Sequence, residues 1–221
     1  MRSRGAKLIV TAGPTREAID PVRFITNHST GKMGFAVARA GAAAGFDVTL
    51  IAGPVSLKTP KGVRRVDVVS AREMLASSVL ALRSSGPGDL FFVSTAAVAD
   101  WRPKKCASKK IKKSSASAVL ELVRNPDILK TLAAHRAKGL LPRKLKLVGF
   151  AAETGSPAAE AARKCRDKGL EFVVGNDVTK PGCGFGVSTN QVVIAFRDGR
   201  VENTGLMSKN LLAKKIIEYL K

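Results

Sequence analysis

The chain has only three cysteines, one tryptophan, one tyrosine and two histidines in 221 residues. Cys106, Cys165 and Cys183 are odd in number and lie far apart, which argues against both a zinc-ligand spacing and a disulfide framework and leaves unpaired thiols in a reducing compartment. Aromatic content of 5% leaves few platforms on which a single-stranded nucleic acid could stack. No apolar run approaches the ~18 residues of a membrane-spanning helix. The basic start Met1-Arg2-Ser3-Arg4-Gly5-Ala6-Lys7 leads into a short apolar strand rather than a signal-peptide core. These absences predict a soluble, cytoplasmic protein with no membrane partner. Acidic residues are also scarce, 17 against 38 Lys and Arg, giving a formal charge of +21.

Such a charge suits a nucleic-acid binder, so the distribution has to be read. The basic residues are spread through every segment, with one concentration from Lys104 to Lys113, and no helix-turn-helix, zinc-finger or RNP-like pattern is present. The predicted partner is therefore a small polyanion such as a nucleotide, and not a nucleic acid. With 45% hydrophobic residues the chain can bury one substantial core, and neither a repeat nor a domain boundary interrupts it. One domain over residues 1–221 is expected.

The stretch Thr26-Asn27-His28-Ser29-Thr30-Gly31-Lys32-Met33-Gly34 carries the strongest local signal. It follows the apolar strand Lys7–Ala12 and a polar turn, and it opens an alanine-rich helix. Ser29 and Thr30 are good N-caps, and Gly31 and Gly34 allow close backbone approach, so free N–H groups and the positive helix end face one point. That is an anion site. It is not a P-loop, because Thr26 stands where the first glycine is needed and Met33 follows Lys32. It is not a dinucleotide turn either, since only Gly31-x-x-Gly34 is present and the second strand ends in Gly53-Pro54 without the ribose-binding acid.

Along the chain, strands are predicted at Val48–Ala52, Val63–Val69, Asp89–Thr95, Val119–Val123, Leu145–Ala152 and Phe172–Asp177, with a hairpin from Gln191–Phe196 through Asp198-Gly199 to Arg200–Glu202. Helices are predicted from Met33 to Ala44, from the Ser70 cap to about Leu82, from the Asn125 cap to about Lys138, from Ser156-Pro157 to Lys168, and from the Ser208 cap to Leu220. The polar, proline-broken stretch from Glu17 to Ile25 reads as a loop or short turn. Alternation of this kind implies an α/β fold, a doubly wound, mostly parallel, Rossmann-like sheet with a partly antiparallel edge. Ligands on such sheets sit beyond the carboxyl ends of strands, so Ala12–Gly34 and Thr95–Asp100 are expected to share a cleft. The lysine-rich stretch from about 101 to 118 reads either as a solvated basic loop or as a mobile flap that closes on a nucleotide. Lys164 and Lys168, four apart, leave one helical face.

Taken in order, Thr11-Ala12-Gly13-Pro14-Thr15-Arg16-Glu17, Asp20-Pro21-Val22-Arg23, Asn27 to Gly34, Ala96-Ala97-Val98-Ala99-Asp100-Trp101, Lys110-Ile111-Lys112-Lys113, Asn125-Pro126-Asp127-Ile128, Gly149 to Thr154 and Asn176-Asp177-Val178 resemble the phosphopantothenate-cysteine ligases of coenzyme A biosynthesis, in the bacterial CTP-dependent form and without a decarboxylase domain. The resemblance covers essentially the whole chain. It implies a two-step ligation: the carboxylate of 4'-phosphopantothenate attacks the α-phosphorus of CTP to give an acyl-cytidylate and pyrophosphate, and cysteine then forms the amide and releases CMP. By the same resemblance Asn27 handles the acyl-cytidylate and Lys110 closes on the nucleotide. Gly13, Ser29, Gly31, Ala96, Asp100, Lys110, Pro126, Asp127, Ile128, Leu129, Phe150, Lys164 and Lys168 match nucleotide-binding positions. Magnesium would bridge the phosphates, no dedicated metal ligands are expected, and no flavin is expected. The resemblance further implies a homodimer and a phosphopantothenoylcysteine decarboxylase as a separate protein or as the remainder of a longer chain. The alternatives are the same ligase using ATP, or a non-catalytic basic module that binds nucleotide or nucleic acid.

Overall fold

The computed structural model describes residues 5–112 and 119–221. The described chain runs β1 (Lys7–Ala12), β2 (Arg16–Ala18), β3 (Phe24–Thr26), α1 (Lys32–Ala43), β4 (Asp47–Ala52), β5 (Val63–Asp67), α2 (Ala71–Arg83), β6 (Leu90–Ser94), β7 (Trp101–Pro103), β8 (Leu122–Arg124), α3 (Ile128–Ala137), β9 (Lys146–Glu153), α4 (Pro157–Asp167), β10 (Phe172–Asp177), β11 (Thr189–Asn190), β12 (Val192–Phe196), β13 (Val201–Asn203), β14 (Met207–Ser208) and α5 (Lys209–Glu218). One sheet holds eight of these strands in the order β13-β12-β10-β9-β6-β1-β4-β5. From β10 to β5 all neighbours are parallel, and β12 and β13 extend that edge antiparallel. The doubly wound sheet with an antiparallel edge is thus observed.

The parallel strands, numbered in chain order, follow the 3-2-1-4-5-6 arrangement of dinucleotide-binding sheets, although the glycine fingerprint of those proteins is missing. From β1 the chain passes through α1 to β4 on one side, and α2 later carries it back to β6 on the other. Strand order reverses there, and a crevice opens beyond the carboxyl ends of β1 and β6. Both faces of the sheet are covered. Leu8, Val10 and Ala12 of β1 pack with Phe35 and Val37 of α1 and with Leu212 and Ile216 of α5. Ile9, between them, lies on the opposite face, in the core that also holds Met74 of α2, Leu132 of α3 and Cys165 of α4. That two-sided burial is why β1 reads as a continuous apolar run, and each such side chain contributes roughly 1.5–3 kcal/mol.

Four local expectations need correction. The stretch from Glu17 to Ile25 is a hairpin, with Arg16, Glu17 and Ala18 opposite Thr26, Ile25 and Phe24. Its polar residues find partners: buried Glu17 accepts the Ala71 N–H from the start of α2 at 2.9 Å, and Asp20 accepts the Val22 and Arg23 N–H groups at the turn. The strand expected at Val119–Val123 is confined to Leu122–Arg124, which pairs with Trp101–Pro103 and gives the lysine-rich segment a paired base. Asp127, not Asn125, caps α3 by accepting the Lys130 N–H at 2.9 Å. Asn125 instead donates its amide to the Ala99 carbonyl at 2.8 Å. Neither Ser29 nor Thr30 caps α1. Gly31 occupies that position at φ 79°, a left-handed turn that L side chains rarely adopt.

Candidate active site

The crevice is built by zipping two loops together beyond the sheet. Gly13, at φ 79°, accepts the Ala97 N–H at 2.9 Å, and Ala97 in turn accepts the Thr15 N–H at 3.4 Å. Thr95 Oγ1 donates to the Thr11 carbonyl at 2.6 Å. Helix α1 begins directly against this seam. A Cβ at Gly34 would lie 2.4 Å from Thr95 Oγ1 and 2.5 Å from the Ala12 Cβ, so only glycine lets the helix start so close to β1. No side chain caps α1 and its first turn has no acid. Ser29 Oγ accepts the N–H of Gly31 at 3.3 Å, one residue ahead of the helix. The first helical N–H groups therefore bring a positive end to the crevice, the arrangement that takes an anion.

A cavity of ≈ 110 Å³ lies at this point, bounded by Ser29, Gly31 and Lys32, by Thr95 to Ala97, by Phe150 on β9, by Asn176 on β10, by Lys209 and by the loop Gly184-Phe185-Gly186. Four of the residues singled out from sequence, Ser29, Gly31, Ala96 and Phe150, thus meet around one space. Gly13 lies beneath Gly31, its nitrogen 3.4 Å from where a Gly31 Cβ would stand.

The two catalytic candidates hang from the β2–β3 hairpin. Exposed Asn27 follows β3, and its Nδ2 donates to the carbonyls of Ala97 and Val98 at 3.0 and 3.2 Å. Lys110 is exposed, and its neighbour Ile111 is held by the hairpin: the Ile111 N–H donates to Asp20 Oδ2 and its carbonyl accepts from Arg23 Nη2, both at 3.1 Å. Lys112 is exposed, whereas Lys113 lies outside the described residues.

The remaining candidates do not line that cavity. Asp100 is exposed and its carbonyl accepts the Asn125 N–H at 2.8 Å. Pro126 and Asp127 precede α3, while Ile128 and Leu129 open it and are buried in the core. Lys168 donates to Asp127 Oδ2 at 2.6 Å. Burial works to raise the Asp127 carboxyl, but the Lys130 N–H and the Lys168 ammonium overcome it and hold the group below its ordinary value. Lys164 pairs with Glu153 at 2.6 Å and Glu160 at 3.3 Å. Burial opposes its charge, and those two carboxylates more than offset the penalty. Lys164 of α4 and Lys168, which caps its end, are thus both ion-paired, so an incoming phosphate would have to compete with carboxylates for them.

The cavity also contains residues the sequence reading did not assign: Lys32, Asn176, Lys209 and the loop at 184–186. The Asn176-Asp177-Val178 triplet enters the family resemblance without a ligand role, and the glycine-rich run from Gly182 to Gly186 carries no ligand signal of its own. Lys209 had none, because it lies well downstream of the glycine-rich loop in sequence, beside a serine that reads as a helix cap.

Comparison with known proteins agrees with this geometry. Residues 3–221 match the family described as DNA/pantothenate metabolism flavoprotein C-terminal domain. The chain belongs to this family. It is 43% identical over 218 residues to the coenzyme A biosynthesis bifunctional protein CoaBC of Vibrio cholerae, covering 98% of this chain and 52% of the relative. The chain therefore spans about half the length of such curated relatives. Among solved structures, the C-terminal domain of a coenzyme A biosynthesis bifunctional protein CoaBC superposes with a TM-score of 0.78 at 38% identity, covering 97% of this chain and 93% of that one. The DNA/pantothenate metabolism flavoprotein of Streptococcus pneumoniae has a TM-score of 0.79 at 20% identity, covering 96% and 97%, a likeness of fold.

Proposed function

We propose that the chain is the ligase unit of coenzyme A biosynthesis, joining 4'-phosphopantothenate and L-cysteine through an acyl-cytidylate to give phosphopantothenoylcysteine, CMP and pyrophosphate. The observation that carries this reading is the match to the CoaBC C-terminal domain over nearly the full length of both chains. The site supports it chemically. An uncapped helix end and Lys32 meet at one cavity, which suits a phosphate chain whose charge must be held while its α-phosphorus is attacked.

In this reading the nucleotide phosphates lie at Ser29 and Gly31 over Gly13 and Ala96, with Phe150 beside them. Asp100, the segment Pro126–Leu129, Lys164 and Lys168 face the rest of the nucleotide. Asn27 holds the acyl-cytidylate with its amide, and Lys110 comes down on the nucleotide from a flap spanning about 101–118, of which 113–118 lie outside the described residues, within one ligase domain. Magnesium arrives with the nucleotide, bridging its phosphate oxygens. Among the described residues no cluster of three or more His, Cys, Asp or Glu side chains stands ready to cage it. No step here calls on a flavin.

The working unit in this reading is a cytoplasmic homodimer. Exposed Val22, Phe24, Trp101 and Leu122 on the paired hairpins supply apolar surface for the second copy. Phosphopantothenoylcysteine is then passed to a decarboxylase, either a separate protein or the rest of a longer chain.

The test is pyrophosphate release with phosphopantothenate and Mg²⁺, CTP against ATP, before and after cysteine is added. The expected result is phosphopantothenate-dependent release with CTP, followed by cysteine-dependent amide formation. Release with ATP alone would replace the nucleotide, and release with neither would remove the ligase reading.

A further inference from the structure

Lys209 is the first residue of α5 and only 8% exposed. Its surroundings disfavour an ammonium group in three ways. Burial strips its water and pushes its pKa down, and the Lys32 ammonium nearby pushes it further. Its place at the start of a helix sets it at the positive end of the dipole. Among the described residues no carboxylate pairs with either Lys209 or Lys32. Their hydrogen bonds go to neutral carbonyls of one loop: Lys209 Nζ donates to Val187 at 2.9 Å and Gly184 at 3.3 Å, and Lys32 Nζ donates to Gly186.

That loop forms a wall of the cavity through Gly184, Phe185 and Gly186. Positive φ at Gly182 (76°) and Gly186 (78°) lets it turn its carbonyls inward. Its other anchor is Asn176, whose Nδ2 holds the Cys183 carbonyl at 2.8 Å, while the Oδ1 of the same side chain is buried without a partner. The space left, ≈ 110 Å³, falls below the roughly 300 Å³ at which small-molecule pockets begin. That space suits a phosphate group, and the loop carbonyls now hold the two ammonium groups that would face it.

We propose that Lys209, with Lys32 beside it, is the cation pair that grips a phosphate chain in this cavity, and that phosphate oxygens replace the carbonyls of Gly184, Gly186 and Val187 as the loop moves aside. The lysine bonds to the loop carbonyls already have a charged donor, and a phosphate oxygen adds a charged acceptor, so each exchanged bond gains an attraction between opposite charges that a neutral carbonyl lacks. An otherwise unfavourable buried lysine then has a physical reason to be there. The inference rests on the ligase reading for the identity of the anion but not for its charge.

Two measurements separate these. The first is calorimetric titration of the full chain with inorganic tripolyphosphate at physiological salt, comparing the wild type with Lys209→Met, Lys209→Arg and Lys32→Met. Lys209→Met is expected to weaken binding at least ~10-fold and Lys209→Arg to recover most of it, because loss of a hydrogen bond to a charged group costs that much. The melting temperature of Lys209→Met should not fall, since the change removes a buried charge. Wild-type affinity in Lys209→Met, or no tripolyphosphate binding by the wild type, overturns the proposal. If Lys209→Met does not fold, exposed Lys32→Met decides by the same criterion.

The second is the KM for CTP and for phosphopantothenate in the ligase assay. A rise confined to CTP places the triphosphate on Lys209, and a rise confined to phosphopantothenate places its 4'-phosphate there. A fall in kcat with both KM values unchanged overturns the grip. A wild type that binds tripolyphosphate through Lys209 yet makes no amide would retain the cation pair while removing the ligase reading.

Discussion

Asp20 accepts Arg23 Nε and the N–H of Ile111 on the same oxygen, each at 3.1 Å, and so ties the turn of the β2–β3 hairpin to the lysine-rich segment. Asn27 leaves one end of that hairpin and Lys110 adjoins Ile111, so one carboxylate positions the backbone of both catalytic candidates. Replacing Asp20 with Asn should keep the fold, speed amide exchange at Ile111, and lower ligase turnover several-fold. Unchanged exchange at Ile111 would separate the hairpin from the flap.

The same carboxylate gives a pH signature. The Arg23 guanidinium, with the N–H groups of Val22, Ile111 and Arg23 adding to it, holds the Asp20 carboxyl well below the usual carboxylate range despite its burial. Its folded pKa is therefore lower than the unfolded value of about 3.9. The native state binds fewer protons, so this pairing stabilises the protein above about pH 4 and is lost as pH falls through the folded value. The gap in melting temperature between wild type and Asp20→Asn should be full at pH 6 and shrink below about pH 4. A gap independent of pH would deny Asp20 that role.

Gly34→Ala tests the seam between α1 and β1. The new methyl would meet Thr95 Oγ1 at 2.4 Å, Ala12 Cβ at 2.5 Å and the Thr11 carbonyl at 3.0 Å. Two of these lie on the sheet itself, which cannot yield without shifting β1. The expected cost is about 1–3 kcal/mol or more, read as a lower denaturation midpoint. Gly205→Ala, with nothing within 4 Å of the added carbon, should leave the midpoint within about 0.5 kcal/mol of wild type.

Asn27→Asp separates the two half-reactions. The amide donates to Ala97 and Val98, and a carboxylate there loses both bonds and faces two carbonyls and an anionic intermediate. Pyrophosphate should still be released while amide formation falls by at least ~10-fold. Equal loss of both steps would take Asn27 out of the second one.

For Lys110→Gln the expectation is loss of overall activity with an unchanged circular dichroism spectrum, because Lys110 is exposed and nothing in the core depends on it. Wild-type turnover and nucleotide affinity in this variant would leave the lysine run as a solvated loop.

Much of the molecule follows from local sequence. Apolar runs such as Lys7–Ala12 and Phe172–Asp177 must be covered on both faces, alternation with helices makes the sheet parallel, and Ser70 with Glu73 or Ser208 ahead of Leu211 forms its cap within a few residues. Asn27 to Gly34 announced an anion site because a glycine turn and a helix start are contiguous. The structure alone decided what depends on distant partners. Asn125 lost the cap of α3 to Asp127 because the Ala99 carbonyl, 26 residues away, needed its amide. Glu17 and Asp20 became parts of an ordered hairpin because Ala71 and Ile111 come to meet them. Lys164 and Lys168, which look alike as free cations on one helical face, are spoken for by Glu153 and Asp127. Lys209, silent in the sequence, reaches the cavity because α5 packs beside α1 across one face of the sheet. Caps, strands and turns are set by neighbours in the chain, whereas the charge state and company of a side chain are set by whatever the fold brings against it.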